Sequence, residues 1–463
     1  MNHITQTDKK NGRIFEGVLT LNDFARHVPH EIDVPEGVAV LRVHFEYDPN
    51  SPPAGGVSHQ LSISVYDPAG ARGTRHNNND QSVVLSADYA SPGYLPGPIA
   101  GGRWVVEIDA HRILAPGLIR YRIAAEWGAD SPDSPAPAIA GIGARKRSGP
   151  GWFRGDLHGH SLHSDACWSV ERFGVDAQRR GLDFAFLTDH NTISGLGDLP
   201  ALNQGRTHIF AGVELTTFFG HALVLGTDRH IDWRIKDGET MAARVAEIQA
   251  DGMLFVIAHP RRTDCPWQYP DVYPGPATHV EVWNRAWRIP YNEHALQLYY
   301  GWLGRGYKLF ATCGSDTHGP NGRDQTGYNI VFAHALTQRE ILTAMKKGRS
   351  YLSSGPELGV EAHTETGEKF GMGQSVPSPI TSVSIRTRRA PPGSTLRLLS
   401  ASPGNAGVRL AHEVRLNADA NFEFDQADFT WNTFLIVEIR DADRRLCALS
   451  NPIFLSHESQ DQE

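Results

Sequence analysis

The chain has 463 residues, a formal charge of −8 at neutral pH, 40% hydrophobic residues and 21% charged ones. This describes a globular protein too long for a single compact core, so two or three domains are expected. The acidic balance argues against a sequence-independent nucleic-acid binder.

The amino terminus, MNHITQTDKKNGRIFEG, has no apolar core that could serve as a signal peptide. No stretch approaches the 18 uninterrupted apolar residues of a membrane span, so a cytoplasmic protein without membrane contact is expected. Cys167, Cys265, Cys313 and Cys447 lie far apart, which speaks against a disulfide scaffold or a thiolate zinc site.

Residues 1–127 carry the period-two pattern of half-buried strands. In LRVHFEY, Leu41, Val43, Phe45 and Tyr47 alternate with Arg42, His44 and Glu46. LSISVYD, RWVVEID and LIRYRIAA repeat the pattern between Gly/Pro/Asn-rich turns, and an antiparallel sandwich-like domain follows. Residues 128–151, dense in Pro, Ala, Gly and Ser, read as a linker. Over residues 152–355 short apolar runs alternate with amphipathic stretches such as TMAARVAEIQADG and TQREILTAMKKG. That rhythm predicts parallel strands with crossover helices, an α/β domain. Residues 356–463 return to strand pattern in TSVSIRT, STLRLL and FLIVEIR, giving a carboxy-terminal β domain.

Within the α/β segment the polar residues are placed with regularity. DFAFLTDHN ends in Asp189 and His190, HIFAGVEL delivers Glu214, MLFVIAHP delivers His259, and KLFATCGSDTH delivers Asp316 and His318. Functional groups of parallel α/β folds gather at such carboxyl ends of strands. One His or Asp there is ordinarily a cap or a satisfied polar group. Together, so many buried carboxylates and imidazoles would cost several kcal/mol each unless a cation held them. In GDLHGHSLHSDA, His158 and His160 are two apart and share one face of a strand, so both can bind one ion.

DLHGHSLHSDA, TDHN, GVE, AHP and GSDTH, in that order, resemble the polymerase-and-histidinol-phosphatase (PHP) superfamily of metallohydrolases. GYLPGPI, GRSYLSSGP and the flanking β segments are similar to its carbaryl-hydrolase-like (CehA/McbA) branch. The resemblance covers about residues 152–355. It implies a distorted (β/α)7 barrel, here flanked by β-sandwich-like domains, with two or three divalent ions at the strand ends. Carried over, His158, His160 and Asp316 would bind the first ion, and Glu214 would bridge to a second completed by His221 and His259. Asp165, His190 and His318 would hold a third. Ala166 stands where the family often has Gly.

A donor set of imidazoles and carboxylates suits Zn, Mn or Fe(II). Two carboxylate-bridged ions can share a hydroxide acidic enough to form near neutral pH, so no Ser, Cys or Lys nucleophile is required. Glu214, Asp316 and His318 are then the catalytic candidates. The ligands supply three carboxylate charges against the six positive charges of three divalent ions. This favours an anionic small-molecule substrate, and a phosphoester above others. Arg261 and Arg262 follow His259-Pro260 and read either as a bidentate phosphate clamp or as solvated loop arginines. Trp283 and Asn284 read as pocket lining or core, Asp189 as a group orienting an imidazole, and His163 as exposed or a proton donor. His279, His294 and His334 read as structural. Two alternatives stand beside the phosphoesterase: a carboxyl-ester or carbamate hydrolase using the same site, and a non-catalytic ligand-binding protein with an inert metal cluster. Oligomeric state and metal identity are not legible.

Overall fold

The structure is a computed structural model that describes residues 4–50, 58–76, 81–115, 117–129, 149–203, 207–269, 276–320, 326–377, 379–401, 407–425 and 433–455. Residues 130–148 of the expected linker lie outside the described residues. The flanks of that span are strands, Leu118–Gly128 before it and Gly151–Asp156 after it.

The amino-terminal part forms two antiparallel sheets. One is ordered Thr5–Lys9, Gly12–Thr20, Leu118–Gly128, Val40–Asp48 and Ser82–Ser86, and the other His27–Val34, Gly102–Arg112, Gln60–Asp67 and Gly70–Thr74. Leu41, Val43, Phe45 and Tyr47 point inward as their alternation predicts, into a core shared with Ile63, Trp104 and Ile108 of the opposite sheet.

The central part is built on a row of strands: β1 Gly151–Asp156, β2 Phe184–Leu187, β3 His208–Thr217, β4 Gly220–Leu225, β5 Leu254–Ile257, β6 His279–Asn284 and β7 Phe310–Gly314. β8, Tyr328–Ala333, and β9, Ser350–Ser353, extend the row beyond β1. Helices α1 Val170–Arg179, α2 Leu199–Leu202, α3 Gly238–Ala250, α4 Pro290–Gly304 and α5 Gln338–Lys346 connect them. β2 and β5 are buried at every position, as strands covered on both faces must be. Ser169, Asp237 and Thr337 cap α1, α3 and α5 by accepting the amides of Arg172, Thr240 and Glu340. Met241, Val245 and Ile248 of α3 are fully buried, each contributing roughly 1.5–3 kcal/mol.

The fold is mixed α/β and rich in strands, without a regular seven-fold strand–helix alternation. β3 and β4 form a tight antiparallel hairpin, because the Phe218–Phe219 turn is too short for a crossover, and β4 also runs antiparallel to β5. Between β5 and β6 no helix occurs among the described residues. The first and seventh strands meet just beyond their ends, where Asp316 N–H donates to His158 O at 2.9 Å and His160 N–H to Thr317 O at 3.0 Å.

The carboxy-terminal strands do not form a detached sandwich. Through the Tyr351–Ser450 register, β9 pairs with Leu446–Ser450, and the same sheet continues into Phe434–Arg440, Thr395–Ser400 and Arg409–Arg415. A second sheet, Lys369–Gly371, Glu357–Thr364, Ile380–Arg388 and Ala420–Asp425, packs with it over Val360, Val383, Leu398 and Val437. Among the described residues no helix is long and apolar enough to cross a membrane.

Candidate metal centre

Glu214 lies near the end of β3 and is fully buried. Five imidazoles surround its carboxylate. On Oε2 lie His158 Nε2 at 3.1 Å, His160 Nε2 at 3.3 Å and His190 Nδ1 at 3.1 Å. On Oε1 lie His221 Nδ1 at 2.9 Å and His259 Nε2 at 3.1 Å. These histidines come from the extensions of β1, β2 and β5 and, in His221, from the first turn of the hairpin strand β4. All nine residues expected as ligands converge here.

Asp316, just beyond β7, places Oδ1 at 3.2 Å from His160 Nε2, 3.6 Å from His158 Nε2 and 3.5 Å from His318 Nδ1. Asp165 Oδ1 is 3.2 Å from His318 Nε2 and 3.6 Å from His190 Nε2. The Asp165 and His318 side chains keep 29% and 28% of their exposure, so the cluster meets solvent on this side. His160, Asp165, His190 and His318 bring one ligand atom each within 4.8 Å of one another, and so do His158, His160 and Glu214.

The donor set fits a divalent cation. Every group is an imidazole or carboxylate except Cys265, whose Sγ lies 3.8 Å from His259 Nδ1 and which groups with His221 and His259. His160 is fully buried, yet neither of its ring nitrogens makes a well-formed hydrogen bond among the described residues. A buried imidazole with unused nitrogens facing two carboxylates is the arrangement a divalent ion completes. The electrostatics agree. Burial opposes ionisation of Glu214, but His190, His158 and His221 outweigh it and hold the carboxyl well below its ordinary range. Burial lowers the basicity of His158, and Glu214, Glu281 and Asp316 more than reverse that. Backbone geometry adds a further mark: His259 and Asp316 have φ of 27° and 47°, a left-handed conformation that is costly without glycine and clusters at functional sites.

Several expectations need correction. Arg261 is exposed and lines a surface depression with Gln297 and Trp302 of α4, because consecutive loop residues here turn to opposite sides. Arg262 turns inward and places Nη1 2.9 Å from Asp316 Oδ2. Asp189 turns to the loop after His160 rather than to His190: its oxygens accept Ser161 N–H and Oγ–H and Ser164 Oγ–H, each at 2.7 Å. His163 is half-buried, with Nδ1 2.7 Å from Ser194 Oγ, rather than exposed. Two readings stand as made: Trp283 belongs to the core, and His279 bonds Met345 O at 3.0 Å as a structural residue.

Three contributors escaped sequence reasoning. Glu281, in the middle of β6, places Oε1 3.0 Å from His158 Nδ1 and accepts His259 N–H on Oε2. The signal was an acid inside the apolar run HVEVWN. Arg285, directly after β6, places Nη2 3.0 Å from Asp316 Oδ2 beside Arg262. His76 comes from the amino-terminal sheets: its ring centroid lies 4.7 Å from that of His190, and burial pushes its pKa down to about 4.

No protein-family model matches the chain, and no curated protein does either. Among solved structures, a two-domain protein from Bacteroides vulgatus containing a predicted PHP-like metal-dependent phosphoesterase is 14% identical over 69% of this chain and 100% of its own, with a TM-score of 0.37. An amidohydrolase from Chromobacterium violaceum, solved with sulfate and without metal, is 17% identical over 42% of this chain and 96% of its own, with a TM-score of 0.28. Neither identity nor score is high enough for these likenesses to carry an activity to the chain.

Proposed function

We propose that the chain is a PHP-type metal-dependent hydrolase that binds two or three divalent ions, Zn, Mn or Fe(II), and cleaves small phosphoesters. The observation that carries this reading is Glu214, a buried carboxylate with imidazoles on both oxygens. The ordered motifs that resemble the PHP superfamily support the same reading, whereas flanks similar to its carbaryl-hydrolase-like branch favour the ester or carbamate alternative.

In this reading His158, His160 and Asp316 would hold one ion, His221 and His259 a second, and Asp165, His190 and His318 a third, with Glu214 available to the first two. Ions so held would supply Lewis acidity and lower the pKa of a bound water. The chain's own residues do the positioning. Glu281 fixes the His158 ring from behind, leaving Nε2 turned toward Glu214 and Asp316. Arg262 and Arg285 bring two guanidinium groups to one oxygen of Asp316. Arg262 also grips Asp264, with Nε at 2.8 Å and Nη2 at 3.1 Å, so Arg285 is the guanidinium that would meet a phosphoryl group; a neutral carbamate or carboxyl ester would leave it idle. That asymmetry places the phosphoester ahead of the ester reading.

The test is elemental analysis with turnover of nitrophenyl phosphates, phosphodiesters, acetates and carbamates. Two or more ions per chain and chelator-sensitive phosphoester cleavage are expected. Fewer than two ions, with no metal-restored activity on any of these, would overturn the enzyme reading. Cleavage confined to acetates or carbamates would transfer the site to the other bond.

A further inference from the structure

The amino-terminal sheets are fastened to the loops that carry the cluster. Gly93 O accepts Thr192 Oγ1–H at 2.7 Å, and Gly93 N–H donates to Ser194 Oγ at 3.0 Å, two and four residues beyond His190. A Cβ on Gly93 would lie 2.8 Å from Thr74 O and 3.0 Å from His163 O, and its φ is 96°, so only glycine seats this contact. Immediately after Thr74 the same sheet delivers His76.

The His76 ring is packed on all the sides that matter for orientation. It sits 4.7 Å from the His190 ring and edge-on to His111 at 4.4 Å. His111 is itself held by Ser62 Oγ, 3.1 Å from its Nε2, and by stacking on Trp233 at 5.5 Å. The Gln60 side-chain amide donates to His76 Nε2, which leaves the ring proton on Nδ1. That Nδ1 is buried and has no hydrogen-bond partner among the described residues. The ionisable groups whose charge acts on the ring include Asp165, Glu214, His160 and His221, all of them in the cluster.

A buried donor without an acceptor is a cost that folding does not recover unless a ligand supplies the acceptor. We propose that His76 is a substrate-contacting residue which the amino-terminal sheets add to the active site, donating Nδ1–H to an oxygen of the bound phosphoryl group. The inference rests on the phosphoester reading for the identity of that oxygen. It assigns the first 127 residues a share in substrate recognition, where their composition reads only as a β scaffold.

The test uses the full-length, metal-loaded protein, with His76→Ala and His76→Phe, and reads metal content, thermal midpoint and the Kd for inorganic phosphate. His76→Phe keeps ring packing against His190 and His111 and removes the donor, which covers the case in which His76→Ala does not fold. Both variants should keep wild-type metal content and bind phosphate about tenfold more weakly or worse, the loss expected for one hydrogen bond to a charged group. His76→Gln, whose amide still donates, should recover part of the affinity. Unchanged phosphate affinity overturns the inference, and so does loss of an ion in the variants, which would make His76 a ligand. Wild-type protein that holds its ions but binds no phosphate overturns this inference together with the phosphoester reading. Phosphate binding without turnover of any phosphoester overturns that reading alone.

Discussion

Glu281 lies directly behind His158, its Oε1 3.0 Å from Nδ1, while its Oε2 accepts the backbone amide of His259 at 3.0 Å. One carboxylate in mid-strand thus fixes the ring of one expected ligand and the backbone of another. Glu281→Gln should weaken metal binding by about 10–100-fold, the usual effect of losing a carboxylate behind a ligating imidazole, and lower the rate with it. Elemental analysis after dialysis against graded chelator checks this; full metal retention would separate Glu281 from the centre.

Arg285 and Arg262 converge on Asp316 Oδ2, at 3.0 and 2.9 Å. Arg285→Ala should raise KM for phosphoesters roughly tenfold or more, as loss of a charge-assisted contact does, while metal content stays at the wild-type level. Lys at this position should restore little, because a point charge cannot replace the guanidinium fork. Steady-state kinetics on a nitrophenyl phosphate decide it, and Arg261→Ala, on the surface beside α4, should behave as wild type.

Gly314 closes β7 against the same carboxylate. A Cβ there would lie 2.3 Å from Glu281 Oε1 and 2.4 Å from His158 Cβ, so neither neighbour can stay in place. Gly314→Ala is expected to cost about 1–3 kcal/mol of stability and to reduce metal content, since it displaces both partners of the Glu281–His158 contact. Chemical denaturation alongside elemental analysis reads both effects.

His27 links the amino-terminal sheets to the hairpin and the segment that follows it. Its Nδ1 is 2.8 Å from Asp109 and 3.3 Å from Glu107, and its ring packs on Phe218 and Trp233. Burial lowers its basicity, but the hydrogen bonds to Asp109 and Glu107 prevail and push it up to about 9. Because this lies above the unfolded value near 6.5, and burial pushes Asp109 up to about 6, the stabilisation is strongest near pH 6.5, is lost as pH rises through about 9, and weakens below about pH 6 as Asp109 takes up its proton. The stability advantage of wild type over His27→Gln, about 1–3 kcal/mol, should therefore be greatest near pH 6.5 and vanish by about pH 9.5. Thermal midpoints across that range check it; a constant difference would refute it.

His190, Glu214, His259, Asp316 and His318 were readable because each follows or ends an apolar run, and His158 and His160 because they share a strand face; Asp165 and His221 were placed only by the resemblance. Glu281 was not readable, since a residue inside a buried strand carries no positional mark beyond its charge. Arg261 and Arg262 are equivalent on the page, and only the turn after Pro260 separates the surface residue from the one that reaches Asp316. The hairpin from β3 to β4 broke the expected alternation because two apolar turn residues, Phe218 and Phe219, look like the continuation of a strand. His76 was invisible for a different reason: its partner His190 is 114 positions away by sequence number, in another sheet system.

The left-handed backbones of His259 and Asp316 have an implication for how the centre comes into being. Each is held by a hydrogen bond between protein groups, His259 N–H to Glu281 and Asp316 N–H to His158 O at 2.9 Å. Strain of this kind persists only where the surroundings over-determine it. The backbone of the cradle is thus fastened by the polypeptide's own hydrogen bonds. Unlike small zinc domains, which unfold when stripped, this protein should keep its circular dichroism spectrum after exhaustive chelation and regain full metal content on simple readdition.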